Sequence, residues 1–289
     1  MKRAFSLIEL SIVILIIGVL IAAVGQGIDL LQDARLSAAR MLTQSSRVNS
    51  LKGLILWLEP TSEASFSSAE AVDAATISSW NDINPQETKK NNATQTGASS
   101  LRPTYVEKGI NNLPVLRFDG STDYLNFDGA SLINSNYTIF VVEKKEDVAA
   151  DVYGFFIGGT NPTGVAIALS LGYRTPALAA ITQDHFPFSV LNYSPPMGFT
   201  KIPTIHSFWF STSGGKKYWN NGGVTPEKSE PTQTAALISY DGPRIANCFT
   251  INYYKGDIAE IIMFNRALSE KDRQSVESYL SKKWSIRIS

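Results

Sequence analysis

The sequence predicts a long, membrane-spanning N-terminal α-helix followed by an all-β antiparallel sandwich of the jelly-roll kind with a short C-terminal helix. Three observations lead there. Residues 7–25 are a nineteen-residue run whose only ionisable side chain is Glu9, long enough to cross a bilayer as one helix. From Leu54 onward, short apolar runs are separated by clusters of Gly, Asn, Asp, Pro and Ser, the punctuation of an antiparallel sandwich or jelly roll. Val276, Tyr279, Leu280 and Trp284 recur at helical spacing near the end of the chain, so a last amphipathic helix should lie against that sandwich.

The N-terminal element is justified first. Lys2 and Arg3 lead into the apolar run, and basic residues tend to stay on the cytoplasmic side, which places the remainder of the chain outside the inner membrane. A carboxylate within such a run costs roughly 2.5–3.5 kcal/mol at its centre, so Glu9 is a functional candidate by position alone. Beyond the run, Ile28, Leu31, Arg35, Ala38, Ala39 and Leu42 approximate one helical face with no Pro or Gly between them. A helix over residues 5–50 would be about 70 Å long, and Gly53 is positioned to end it.

Read in order, Phe5, Ser6, Leu7, Ile8 and Glu9 behind a short basic leader resemble the N-terminus of type IV prepilins and of the pseudopilins of type II secretion. The resemblance implies removal of residues 1–4 by a prepilin peptidase and N-methylation of Phe5. Ala4 departs from the Gly usual before that cut. Glu9, fifth in the mature chain, would pair with the Phe5 amine of its own or a neighbouring subunit, because charges in an apolar surround are favoured when paired. The expected division of the chain is a leader (1–4), a pilin-like helix (5–52, transmembrane over about 7–25) and a head (53–289).

In the head, extended runs are expected at residues 54–58, 115–118, 137–142, 153–157, 166–171, 207–211, 235–239, 249–253 and 258–264. Leu56-Trp57-Leu58, Trp80-Asn81-Asp82, Asn92-Ala93-Thr94-Gln95, Arg102-Pro103-Thr104-Tyr105 and Val115-Leu116-Arg117-Phe118-Asp119-Gly120 with Asp123-Tyr124-Leu125 follow in order. Near the end come Gly256-Asp257-Ile258-Ala259-Glu260-Ile261 and Phe264-Asn265-Arg266-Ala267-Leu268-Ser269. This series is similar to the laminin-G-like, concanavalin A-like jelly-roll domains of bacterial surface proteins. Trp57, Trp80, Phe118, Tyr124 and Phe264 are expected in the core. Ser269, with Asp272 three residues on, reads as a helix N-cap.

Composition bounds the function. Acidic and basic residues balance at 26 each, so no global field points to nucleic acid. The single Cys248 excludes an intrachain disulfide. His185 and His206 are the only histidines and stand outside any HExxH pattern, and there is no GxSxG elbow. A glycosidase needs two carboxylates across one bond. Asp257 and Glu260, three apart on an expected strand, should point to opposite faces, and Glu143 with Asp147 lies in a Glu-Lys-Lys-Glu-Asp segment that reads as a solvated strand end. The expectation is therefore that the chain is not an enzyme and has no catalytic residues.

For ligands, Asp119, Asp123 and Asp128 supply the oxygen chemistry calcium takes, the one cofactor candidate. Tyr193, Tyr218 and Trp219 are candidates for sugar stacking. The function expected is a pilin-like, minor subunit of a type IV pilus or pseudopilus whose head recognises a surface glycan or protein. Its expected partners are prepilin peptidase, other pilin or pseudopilin subunits and the inner membrane. The alternative is a membrane-anchored carbohydrate-binding module that stays out of filaments.

Overall fold

A computed structural model describes residues 7–146, 153–160, 168–174, 180–186, 189–194 and 201–289. Helix α1 (Leu7–Ser45) has 39 residues. A 3₁₀ turn, Arg47–Ser50, follows, capped by the Ser46 hydroxyl accepting from the Val48 N–H. The helix thus stops five residues before the expected Ser50, since Ser46 offers the backbone a competing partner. Gly53, at φ 83°, then turns the chain into the sandwich.

Among the described residues the strands are, in chain order, β1 (Leu54–Leu58), β2 (Ser79–Trp80), β3 (Ala93–Thr94), β4 (Thr104–Val106), β5 (Val115–Asp119), β6 (Leu125–Asn126), β7 (Tyr137–Lys145), β8 (Gly154–Gly158) and β9 (Ala168–Tyr173). They continue with β10 (Ile181–Phe186), β11 (Ser189–Tyr193), β12 (Thr204–Ser211), β13 (Gly215–Asn220), β14 (Lys228–Glu230), β15 (Arg244–Ile245), β16 (Asn247–Cys248), β17 (Asn252–Tyr253) and β18 (Lys255–Phe264). Helix α2 (Glu270–Trp284) closes the fold. One antiparallel sheet has the order β14-β13-β12-β7-β18-β5-β4, with β1 also paired to β18; the second runs β11-β10-β9-β8-β15-β6-β3-β2.

Strand alternation builds two cores from the first sheet. In β7, Tyr137, Ile139 and Val141 point between the sheets, while Phe140 and Val142 point to the other face. The inter-sheet core holds Trp80, Phe118, Leu125, Phe156 and Phe208. The second core joins Trp57, Ile262 and Phe264 to Val276, Leu280 and Trp284 of α2 and to Ala39 of α1. Each fully buried Leu, Phe or Ile contributes about 1.5–3 kcal/mol, so both layers are needed to cover a sheet that is apolar on both faces. Ser269 caps α2: its hydroxyl accepts from the Asp272 N–H at 3.2 Å and donates to the Asp272 carboxylate at 2.9 Å.

The expected fold class and location need correction. The chain is mostly a β sandwich, and among the described residues no helix is long and apolar enough to cross a membrane. The single-pass inner-membrane placement falls with it. Two expected strands also differ. Residues 235–239 form no strand, and of 249–253 only Asn252 and Tyr253 pair, because Phe249 and Thr250 take positive φ values and turn the chain. Ala4, Phe5 and Asp147 lie outside the described residues, as does the side chain of Glu9.

Candidate functional sites

An open cleft of about 750 Å³ lies beside the β3–β6 end of the second sheet. Leu125 and Ala93 turn inward, which leaves Asn126 and Thr94 outside, with the Asn126 amide donating to the Thr94 carbonyl at 3.3 Å. The opposite wall is the loop between β2 and β3, fastened by Asp82. Its carboxylate accepts from the N–H groups of Trp57 (2.9 Å), Asn84 (3.0 Å) and Asn91 (3.1 Å). Asn91 and Asp128 then bridge the walls reciprocally, amide to carbonyl and N–H to amide oxygen, both at 2.8 Å.

The lining is mixed: the amides of Asn91, Asn92 and Asn126, the hydroxyls of Thr94 and Ser131, charges from Glu87, Lys89, Lys90 and Asp128, and apolar surface from Ile55 and Phe127. Such a wall offers paired donors and acceptors on rigid backbone with a small apolar floor, and the volume falls in the range of small-molecule sites. Of the ligand candidates read from the sequence, only Asp128 lies in it.

Asp119 and Asp123 sit together in the turn after β5. Burial works to raise the Asp119 carboxyl, but donors from Ser121, Thr122 and Asp123 outweigh it and hold the group at about 2. Burial, aided by the Asp119 charge, pushes Asp123 up to about 7, where its carboxyl accepts from the Asp119 N–H at 3.0 Å. Asp128 has different partners, Asn91 and the Ala130 N–H. Among the described residues no group of three or more His, Cys, Asp or Glu side chains is arranged to hold a metal ion.

Two of the three aromatic candidates, Tyr218 and Trp219, are buried. Tyr218 is buried between the sheets, its hydroxyl 2.8 Å from His206 Nδ1. Trp219 faces the other way, buried beneath the Arg273 guanidinium at 3.9 Å from its ring centre. Tyr193 is half-buried, stacked obliquely 5.5 Å from Tyr218 and donating to Glu227 at 3.0 Å.

Two buried polar clusters were not legible as clusters in the sequence. Between the sheets, Glu143 accepts from the Tyr173 hydroxyl at 2.6 Å, from the Tyr254 hydroxyl and from His206 Nε2 at 2.9 Å. Facing that carboxylate, Nε2 is placed to donate, and Nδ1 lies 2.8 Å from the Tyr218 hydroxyl. The expected solvated strand end is thus the buried centre of a hydrogen-bond network, because β7 runs on to Lys145 and keeps Glu143 in phase with Val141.

On the opposite face, Lys283 Nζ lies 2.7 Å from Glu59 Oε2 and 3.1 Å from Glu260 Oε2. It also donates to Thr43 of α1 at 2.9 Å and to the Tyr279 hydroxyl at 3.1 Å. Glu260 is held by the indole N–H groups of Trp57 (2.7 Å) and Trp284 (2.8 Å) and by the Tyr279 hydroxyl (2.7 Å). Burial raises the Glu260 carboxyl; the Lys283 charge works against that and the Glu59 charge adds to it. Asp257 and Glu260 also share a face, contrary to expectation. A bulge between Ile258 and Glu260 resets the alternation, so Ile258 and Ile261 both point inward while Asp257 pairs with the exposed Arg117 outside at 2.7 Å.

No family model matches this chain. No curated protein matches it. Solved structures do share its β domain. The Trypanosoma rangeli sialidase in complex with 2,3-difluoro-KDN aligns at a TM-score of 0.54 and 12% identity, over 80% of this chain and 33% of that one. The binding domain of Paraclostridial Mosquitocidal Protein 1 aligns at 0.53 and 13%, over 80% and 53%. This chain therefore spans about a third of the sialidase and about half of the toxin domain's chain. At these identities the likeness is one of fold, a jelly-roll β domain. It corrects the expectation that the chain is not an enzyme: the same architecture occurs within a sialidase polypeptide, and the opposite-face argument against paired acids fails at the bulge.

Proposed function

We propose that this chain is a pilin-like subunit that presents a carbohydrate-recognising β domain. The cleft carries the recognition half: amides and hydroxyls fixed on strands and a tethered loop, over a small apolar floor, suit the ring of donors and acceptors on a sugar. The likeness to a sialidase solved with a sugar derivative and to the binding domain of a toxin supports that choice of ligand class. Helix α1 supports the subunit half. In its first half, residues 8–21, the described large apolar side chains are open on all sides, from Ile17 at 49% to Ile8 at 69% exposed, and a helix apolar all round needs apolar surroundings. Parallel helices of neighbouring subunits supply them, with Glu9 set against the amine of a processed Phe5.

Two measurements on the full chain test the two halves separately. Glycan-array binding followed by titration calorimetry should show a sugar ligand whose affinity falls about tenfold in Asn126→Ala, the loss of roughly one good hydrogen-bonding group. Binding unchanged by Asn126→Ala and Asn91→Ala, or absent throughout, removes the cleft as the site. N-terminal peptide mapping from the native cell should find methylated Phe5 as the first residue; a chain that still begins at Met1 removes the pilin reading.

A further inference from the structure

The Lys283 cluster is arranged for a reaction that a simple ion pair does not need. Its ammonium and two carboxylates are buried beneath Trp57, Tyr279 and Trp284, with no exposed surface on either Lys283 or Glu59 side chains. One ammonium faces two carboxylates, so a full set of charges leaves a buried excess negative charge, an arrangement that is costly without full compensation. The two oxygens of Glu59 are also treated unequally. Oε2 accepts from the Thr61 N–H at 2.8 Å, from the Thr61 hydroxyl at 2.6 Å and from Lys283 at 2.7 Å. Oε1 is buried with no hydrogen-bond partner, a rare and expensive state for a carboxylate oxygen.

We infer that Lys283 and Glu59 form an intramolecular amide cross-link, with Glu260 as the acid–base group that carries the protons. Proton transfer out of the ammonium gives an amine and a neutral carboxyl, the forms that burial favours. Nζ attacks Cδ of Glu59, the Nζ–Cδ bond forms and the Cδ–Oε1 bond breaks. Oε2, already held by the two Thr61 donors, becomes the amide oxygen. Of the three ammonium protons one remains as the amide N–H and two depart with Oε1 as water, one of them passed through Glu260. No oxidant or co-reactant is required.

The geometry fits the assignment part by part. Glu260 is fixed by three donors from Trp57, Trp284 and Tyr279, which hold its carboxyl 3.1 Å from Nζ. The unpartnered oxygen is the one that would leave. The product removes both charges of the pair and leaves Glu260 the only carboxylate there, matched by its own donors. It would join the residue just after β1 to the last turn of α2, closing a separation of 224 residues.

The test is mass spectrometry of the purified full chain after denaturation and proteolysis. The inference predicts one joined species carrying Glu59 and Lys283, lighter than the sum of the two peptides by one water, about 18 Da. Recovery of the two peptides separately at full mass overturns it and leaves an ion pair. Lys283→Met must abolish the joined species. Glu260→Gln, which keeps the size of the side chain, should lower its yield at least tenfold; an undiminished yield removes Glu260 from the reaction.

Discussion

The two faces of strand β7's sheet bury carboxylates in opposite ways. Between the sheets Glu143 stands alone among donors: two tyrosine hydroxyls and an imidazole converge on it, and His206 passes the chain on to Tyr218. Beneath the helices two carboxylates compete for Lys283, and one oxygen of Glu59 is left without a partner. The first cluster is complete as it stands and orders the core. The second is short of donors, and that shortage is what makes a condensation reaction there intelligible. Burial alone does not distinguish them; the count of donors per oxygen does.

The comparison can be broken from the Lys283 side most strongly. Lys283→Met leaves two buried carboxylates unpaired and should cost about 3–5 kcal/mol, read as a lower urea midpoint. Glu143→Gln keeps one acceptor but turns an amide N–H₂ toward groups that themselves donate. Its expected cost is about 2–3 kcal/mol, less than that of Lys283→Met in the same assay; an equal or larger loss would mean the inter-sheet network is the more critical of the two. Trp57→Phe keeps the ring but drops one donor to Glu260, for about 1–2 kcal/mol.

The smallest effect concerns pH. Asp123 is pushed up to about 7 by burial and by the Asp119 charge, above its ordinary value of 3.8. The folded state thus holds a proton that the unfolded chain releases, so this group weakens the fold progressively as pH rises from about 4 to about 7 and remains unfavourable above that. Asp123→Asn removes the charge and keeps an acceptor for the Asp119 N–H. It should stabilise the protein by about 1 kcal/mol at pH 8 and by nothing measurable at pH 3, as followed by thermal unfolding at the two pH values.

Much of the scaffold could be read from the chain. The Ser269–Asp272 cap and the Val276, Tyr279, Leu280, Trp284 stripe of α2 are local signals, and they stand where the spacing puts them. The longer strands announce themselves by unbroken apolar content, as in residues 137–142 and 258–264. Strands of two residues, such as β15 and β16, carry no periodicity to detect. The cleft was out of reach for another reason: its walls, near Asn91 and Asn126, meet only through tertiary pairing, and of the candidates only Asp128 belongs to it.

Parity explains one further difference, and sequence context the others. A single bulge after Ile258 moves every later side chain of β18 by one place, so Asp257 and Glu260 come to lie on one face. Charge density misled in β7, where Glu143 and Lys145 belong to a buried strand despite their Glu-Lys-Lys context; Lys145 sits 4.3 Å above the Tyr173 ring. Tyr218 was an attractive surface aromatic because Gly and Asn surround it in sequence, yet its partners are Phe208 and His206.

The antiparallel pairing of β1 with β18, from Leu54 opposite Phe264 to Leu58 opposite Ile261, sets the chain's first and last strands side by side beneath α2. Tension drawn along α1 would enter at β1 and meet, within a few residues, a row of strand bonds loaded in shear together with the Thr43, Glu59 and Lys283 contacts. The sheet that carries the Asn126 wall lies outside that load path. The facing wall lies within it: Ile55 belongs to β1, and Asp82 ties the β2–β3 loop to the Trp57 N–H, so tension on α1 would reach the cleft through one wall only.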